Sequence, residues 1–522
     1  MQITRTDTRD RAKLGYKQEL RRNFTMIEVF GIAFSIMGLL PSIASTLAYS
    51  IPAGPAGLVW GWFLASMFIF FVGLAMADLG SAMPTSGGLY WWTHFFSSPK
   101  SRNALSFLVG YSNTLGLVGG LCSIDYGFSL MLLSVVVIAK DGNWEPSNGV
   151  IYAVFLGCVL CHGVLASSFS KVMGKLQTAF VVLNFVLIFA TIIALPVGSA
   201  GNRNDARFIF ATTSNLTNWP TGWAFMLSWL SPIWTIGAFD SCVHMSEEAA
   251  NATKAVPYGI LMSIGSCWLF GWILTIVIAA CMSPDLDSIL SSPFGQPMAQ
   301  IYYDALGKRG ALALMTILFI TQFFMGLSIT VAASRQTWAF SRDGALPFSR
   351  YIRIINQRLG YIPLNAVWFC VLLAILLGLL TLIGPAAASA VFSLAVAGNN
   401  LAVSKSSSIY VIVTILADNR PSVGYSHSRP RSLGSSEVQT RTVLYRPLQH
   451  CNRMGRHRLP GLWHRALHVP SWRTLSERGR DELHCCHQLW RMGWCAVVLF
   501  RGCSEVVGDD LFIDTVECGR LR

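Results

Sequence analysis

Residues Trp223 to Pro257 read WAFMLSWLSPIWTIGAFDSCVHMSEEAANATKAVP. The stretch opens as an apolar run long enough to cross a bilayer, yet it carries Pro232, Gly237 and Asp240 within that run and ends in Glu247 and Glu248. A carboxylate at the bilayer centre costs roughly 2.5–3.5 kcal/mol or more, and a helix break there is tolerated only against protein or a water-lined cavity. Two readings follow. In one, Asp240 marks the polar end of an ordinary helix; in the other, the segment is a discontinuous transmembrane helix that lines a binding site. We adopt the second as the expectation to be tested.

Outward from this stretch the apolar texture continues. The chain has 522 residues, 53% of them hydrophobic and only 12% charged, against about 25% charged in ordinary soluble domains, and its mean hydropathy is +0.50. This is the composition of an all-α polytopic membrane protein. Apolar runs predict ten spans near 28–50, 57–78, 104–138, 150–167, 172–196, 223–245, 258–282, 310–332, 363–382 and 385–403. The first run follows a basic polar segment, Arg5 to Arg22, which reads as a retained anchor rather than a cleaved signal peptide. With residues 1–27 placed in the cytosol, the segments on that side hold 17 Lys and Arg and those outside hold 5. That imbalance supports a cytosolic N-terminus.

Three regions are expected: a basic segment 1–27, a transmembrane core 28–403, and a tail 404–522 of another character. The tail holds seven of the ten histidines, six of the thirteen cysteines and 16 Arg against the single Lys405. Such a mixture, without periodicity, reads as disordered sequence of the kind that a frameshift or a misassigned splice junction yields; a genuine cytosolic regulatory tail is the other reading. His484, Cys485, Cys486 and His487 are adjacent, so they do not close a tetrahedral zinc site, and no second half appears. No nucleotide loop and no nucleophile–base constellation is recognisable. Neither an enzyme activity, a cofactor nor a nucleic-acid partner is expected; the partners are the lipid bilayer and a small-molecule substrate.

The first span, EVFGIAFSIMGLLPSIASTLAYS, pairs Gly38 with Pro41, and this is expected to open the helix around Ser35 to Pro41. An opened helix presents backbone groups and half-helix dipole ends to a carboxylate or a cation, although a plain kink is the alternative. The sixth span repeats the interruption. Breaks in spans one and six, at corresponding positions of two five-span halves, are the pattern of an inverted-repeat secondary transporter. Asp125 in the third span is a second acid at membrane depth. It either meets a substrate ammonium or relays a proton, or it is buried in a polar helix contact. Trp234 either walls the cavity or packs against neighbours. Glu247 and Glu248 are expected to form salt bridges with the basic segment 333–362 and are candidate gate residues.

The segments DLGSAMPTSGGLYWWTHFFSSPK (Asp78 to Lys100), FDSCVHMSEEAANATKAVP (Phe239 to Pro257), SRQTWAFSRDGALPFS (Ser334 to Ser349) and EVFGIAFSIMG together resemble signature regions of the amino acid, polyamine and organocation permeases. Within that superfamily the chain is most similar to the fungal branch of 4-aminobutyrate and choline permeases, over roughly residues 20–403. The resemblance implies the five-plus-five inverted-repeat (LeuT-like) fold and alternating access. It also implies twelve spans, so the last two are missing here, and the departure begins at Asn400 to Ser404. Carried over by position, Ser35, Ile36, Met37 and Gly38 would offer backbone groups to a substrate carboxylate. Gly237, Ala238, Phe239 and Asp240 would form the unwound wall and gate of the sixth span. Lys175 stands near where some proton-coupled relatives place a cation instead of sodium. The implied function is import of an amino acid, 4-aminobutyrate first, with the proton as coupling ion, at the plasma membrane before the vacuolar one. Choline is the alternative substrate, and a non-transporting paralogue or membrane sensor the alternative class.

Overall fold

A chain that crosses hydrocarbon must pair its backbone groups within each segment, and the apolar runs do so as helices. The computed structural model describes residue 20 and residues 24–168, 173–357 and 361–418. Most of the basic segment 1–27, residues 419–522, and with them the His484 to His487 cluster, lie outside the described residues.

The first span is two helices, α1 (Met26–Met37) and α2 (Leu39–Ser50), and the second is α3 (Gly54–Ala82). A short helix α4 (Gly88–Phe96) leads to α5 (Arg102–Ala139), α6 (Asn148–Ser168) and α7 (Met173–Gly198), the third to fifth spans. After α8 (Ala206–Ala211), the sixth span is broken into α9 (Thr221–Leu227), α10 (Leu230–Thr235) and α11 (Ser241–His244). Then come α12 (Ala252–Cys281), α13 (Leu286–Leu290), α14 (Pro297–Arg342), α15 (Ser349–Ile352), α16 (Leu364–Gly378) and α17 (Pro385–Asp418). Seven helical stretches among the described residues are long and apolar enough to cross a membrane, and the first of them, Met26–Ala82, holds spans one and two. The broken sixth span and α17 complete the order read from the sequence.

Two boundaries differ from the sequence reading. The expected loop 333–362 is helical as far as Arg342, because α14 continues through ASRQTWAFSR. Its arginines and amides look like a solvated loop to a hydropathy count, yet Arg335, Gln336 and Thr337 are buried, with polar partners inside the protein. The tenth helix does not stop at Val403 but runs on to Asp418.

The start of α1 is fixed locally. Thr25 and Glu28 form a capping box, the Glu28 Oε2 accepting from the Thr25 N–H at 2.6 Å, which satisfies donors the first turn leaves open. The helices then pack as two sets: α1 and α3 against α12, and α5 against α14 and α17. Small residues permit the closest approach, as in membrane helix pairs generally. A Cβ on Gly116 of α5 would stand 2.5 Å from the backbone nitrogen of Asn399, and one on Gly398 of α17 would stand 2.7 Å from the Ser112 carbonyl. Those obstacles are backbone atoms, which cannot rotate away.

Gly116→Ala is therefore expected to push α17 off α5 and to cost about 1–3 kcal/mol by overpacking. Thermal unfolding of the detergent-solubilised protein measures this; an unchanged midpoint would contradict the backbone contact.

Candidate functional site

The break in the first span is confined to Gly38, whose φ of 42° and ψ of 65° lie in the left-handed region that glycine enters without steric cost. Its N–H still donates to the Phe34 carbonyl at 3.1 Å and its carbonyl accepts from Ser42 at 2.8 Å, while Ser42 Oγ donates to the Met37 carbonyl at 2.6 Å. The N–H groups of Leu39 and Leu40 open a new helix and so have no partner four residues back within it. Met325 of α14 fills the space where a Cβ on Gly38 would lie, its sulfur 2.6 Å from that position.

In the sixth span, Ile236 to Asp240 form a non-helical turn between α10 and α11. Beside the sixth-span break is a cavity of about 40 Å³, room for a few waters, which the first span meets at Ile36 rather than at Gly38 itself. Ile36, Trp234, Gly237 and Ala238 line it, with Gly116, Gly120, Met325, Asn399 and Asn400 among the facing residues. Of the other sequence candidates, Ser35 is buried with no hydrogen bond to its Oγ, and Met37 turns its sulfur to Cys267 of α12, 3.4 Å away. Phe239 is buried in the core cluster.

Asp240 is fully buried behind the cavity wall. Its Oδ2 accepts from Asn113 Nδ2 of α5 at 2.8 Å and lies 3.3 Å from His244 Nε2. Asn113 Nδ2 also donates to Asn399 Oδ1 at 3.0 Å, and Asn399 Nδ2 donates to the Gly237 carbonyl. His244 Nδ1 meets the Ser86 carbonyl at 3.0 Å, and the Ser86 N–H donates to Glu247 Oε1 at 3.3 Å. One hydrogen-bond chain thus runs from a cavity-lining carbonyl to Glu247.

At that end two ion pairs lie side by side, one fully buried and one whose arginine is part-exposed. Arg342 reaches both Glu247 oxygens at 3.2 Å, and Arg335 Nε reaches Glu248 Oε1 at 2.7 Å. Arg342 also lies 4.6 Å over the Trp338 ring. The start of the first span is tied in as well: Phe24 N–H donates to the Glu248 carbonyl at 3.1 Å, and Ala250 N–H to the Phe24 carbonyl at 2.8 Å. The salt bridges expected of Glu247 and Glu248 are present, and their partners are the two arginines read as loop residues.

Asp125 does not line the cavity. It is fully buried with His162 Nδ1 of α6 at 3.0 Å from Oδ2, and Gly326 of α14 leaves the space, since a Cβ there would stand 2.2 Å from Oδ1. Asp125, Cys158 and His162 bring three metal-ligating atoms within 4.8 Å of one another. His162 commits Nδ1 to Asp125, however, and Cys158 Sγ stands 3.9 Å from both ring nitrogens, so it lies over the ring rather than in a ligand position. Lys175 is exposed; the buried residue of that turn is Gln177, which accepts from Ser328 Oγ of α14 at 3.0 Å. Sequence reasoning missed Asn113, His162, His244 and Asn399. Only His244 carried a local signal, being one helical turn after Asp240.

Residues 24–417 match the family model described as amino acid permease. The chain is 49% identical over 395 residues to the GABA-specific permease of Saccharomyces cerevisiae, covering 75% of this chain and 69% of that protein. An uncharacterised amino-acid permease of Schizosaccharomyces pombe is 36% identical, covering 73% of this chain and 70% of its own length. The amino-acid permease BAT1 of Arabidopsis thaliana is 32% identical, covering 74% and 77%. The matched region reaches beyond Asn400 to Ser404, where the sequence reading put the departure.

Breaking the Arg335–Glu248 pair leaves a carboxylate buried without its cation. Arg335→Ala is expected to cost about 3–5 kcal/mol, seen as a lower midpoint of thermal unfolding, with Arg335→Lys losing less. Equal midpoints for wild type and Arg335→Ala would mean the pair is not buried as described.

Proposed function

The chain belongs to the amino acid permease family and is an integral multi-pass membrane transporter of amino acids, and from this premise we propose that it imports 4-aminobutyrate, or a close relative of it, together with protons. The observation that carries the reading is the turn at Ile236 to Asp240, which opens onto a cavity that the first span lines at Ile36, two residues before its own break at Gly38. Loose N–H groups at the start of α2 suit a carboxylate, as does the positive end of that helix. Carbonyls and the Asp240 side of the sixth span suit the amine. A linear ω-amino acid has its two charges at opposite ends, which suits one polar break in each of two spans. The relative named for 4-aminobutyrate, at 49% identity, supports the same substrate.

Choline is the weaker reading. A quaternary ammonium calls for an aromatic cage, and among the described residues that line the cavity only Trp234 is aromatic, with Phe239 turned into the core. The positive-inside balance favours a cytosolic N-terminus, which puts the Glu247 and Glu248 ion pairs on the cytosolic side. The chain is then closed inward, and those pairs are the inner gate. Transport proceeds as the set α1–α3, α9–α12 rocks against α5, α14 and α17, parting the ion pairs and widening a cavity that is too small for an amino acid as it stands. The plasma membrane is the proposed site of action, and residues 419–522 are dispensable in this scheme.

Uptake of radiolabelled 4-aminobutyrate and choline by a fungal strain lacking its own carriers tests the proposal. Saturable uptake of 4-aminobutyrate, raised by an acidic medium and absent for choline, is expected of the full chain and of a version ending at Asp418. Saturable choline entry without 4-aminobutyrate entry would overturn the substrate. Asp240→Asn is expected to abolish uptake at unchanged membrane expression, and undiminished uptake would remove Asp240 from the mechanism.

A further inference from the structure

The partners of His244 determine where its hydrogens are. Nδ1 lies 3.0 Å from the Ser86 carbonyl, and a carbonyl oxygen only accepts, so Nδ1 carries a hydrogen. Nε2 lies 3.3 Å from Asp240 Oδ2, and both side chains are fully buried. That contact requires one more proton, either on the ring as an imidazolium or on the carboxyl as an acid. Without it, two lone pairs face each other and a net negative charge remains in a site closed to water. Asp240 has little else to compensate it. Asn113 donates to Oδ2, and Oδ1 is buried with no partner.

Among the described residues the surroundings do not supply a free cation. From α14 come Arg335 and Arg342, engaged by Glu248 and Glu247. From α12 comes Gly259, which lies against Cys242, while its Lys254 is exposed. From α1 comes the Val29 carbonyl, 3.7 Å from Cys242 Sγ, while Glu28 is half-buried and engaged in its cap with Thr25. From α5 and α17 come the amides of Asn113 and Asn399.

The geometry points to His244 and Asp240 as the joint binding site of the transported proton, an inference that rests on the reading of the chain as a proton-coupled amino acid permease. The proton enters as H⁺, sits between Nε2 and Oδ2, and leaves as H⁺ with no other bond made or broken. When the proton is present the pair is neutral and the hydrogen-bond chain from Gly237 to Glu247 is complete, which favours the closed arrangement. When it departs, the lone pairs repel and the bare carboxylate requires water. His244 then shifts with Ser86, whose N–H holds Glu247, so loss of the proton loosens the Glu247–Arg342 pair. At its other end the chain reaches the Gly237 carbonyl beside the cavity, so substrate there is sensed by the same groups. Asp125–His162 is the rival pair, but among the described residues no such hydrogen-bond chain leads from it to the ion pairs.

The test uses the purified full chain in liposomes, with radiolabelled 4-aminobutyrate as probe and two readouts. Counterflow needs no ion gradient; accumulation is driven by an imposed gradient, acid outside. Wild type performs both. His244→Gln keeps the reach towards Asp240 and His244→Asn the donation to Ser86, but neither carries the proton. Both are expected to retain counterflow within about twofold of wild type and to lose gradient-driven accumulation roughly tenfold or more, while His162→Gln retains both activities. Accumulation preserved in the His244 variants overturns the proposal, as does a loss that follows His162→Gln instead. Loss of both readouts, or of assembly, in both His244 variants would mark a structural contact and overturn it too. Absence of counterflow in wild type would instead overturn the reading of the substrate.

Discussion

A carboxylate sealed inside a membrane protein has to be answered by its neighbours, and the fully buried Asp240 is answered from three directions. Asn113 reaches it from the third span, His244 from one turn further along its own span, and Asn399 from the tenth span through Asn113. Each of those contacts needs a helix at a fixed distance. The close packing of Gly116 and Gly398, which lets α17 lie backbone to backbone on α5, sets Asn399 where it can also cover the Gly237 carbonyl. The polar requirement of one side chain thus dictates glycine at positions far away in the chain.

The same carboxylate explains why the sixth span is not a helix throughout. A continuous helix would pair the backbone at 236–240 internally and leave nothing for the cavity or for Asn399. With the turn at Ile236 to Asp240, the Gly237 carbonyl becomes a partner of another helix. The first span breaks more economically, at a single left-handed glycine against which Met325 packs. A flexible thioether at that contact can change rotamer when the helices move, which a branched side chain would resist.

The ion pairs at the Glu247 end bear on motion as much as on stability. Buried pairs seldom contribute more than hydrophobic residues of the same shape would, because both charges lose their hydration. What they provide is discreteness: an arginine and a glutamate are either paired or wet, with little between. Two such pairs lie on adjacent residues, and Ser86 links one of them to the buried contact between His244 and Asp240.

Much of this was legible in the sequence. Runs of apolar residues fix the spans, because hydrocarbon admits only helices whose backbone is internally paired. Gly38 with Pro41, and Pro232, Gly237 and Asp240, mark the breaks, because those residues are costly in a buried helix unless the break is used. Hydropathy misjudged 333–342 because polarity was taken as exposure, whereas Arg335 is buried, Arg342 is largely covered, and both are paired. It also put the end of the tenth helix at Val403, fifteen residues short of Asp418, since the apolar run fades before the helical backbone does. Asn113, His162 and Asn399 could not be assigned from sequence at all. An amide or imidazole on an apolar helix face becomes a site member only by standing opposite a carboxylate on another span, and that depends on crossing angles and register that glycine contacts between distant helices set. Sequence determined where the chain must cross and where it must break; tertiary packing decided which polar groups meet there, because hydrogen bonds between helices depend on distance and not on order along the chain.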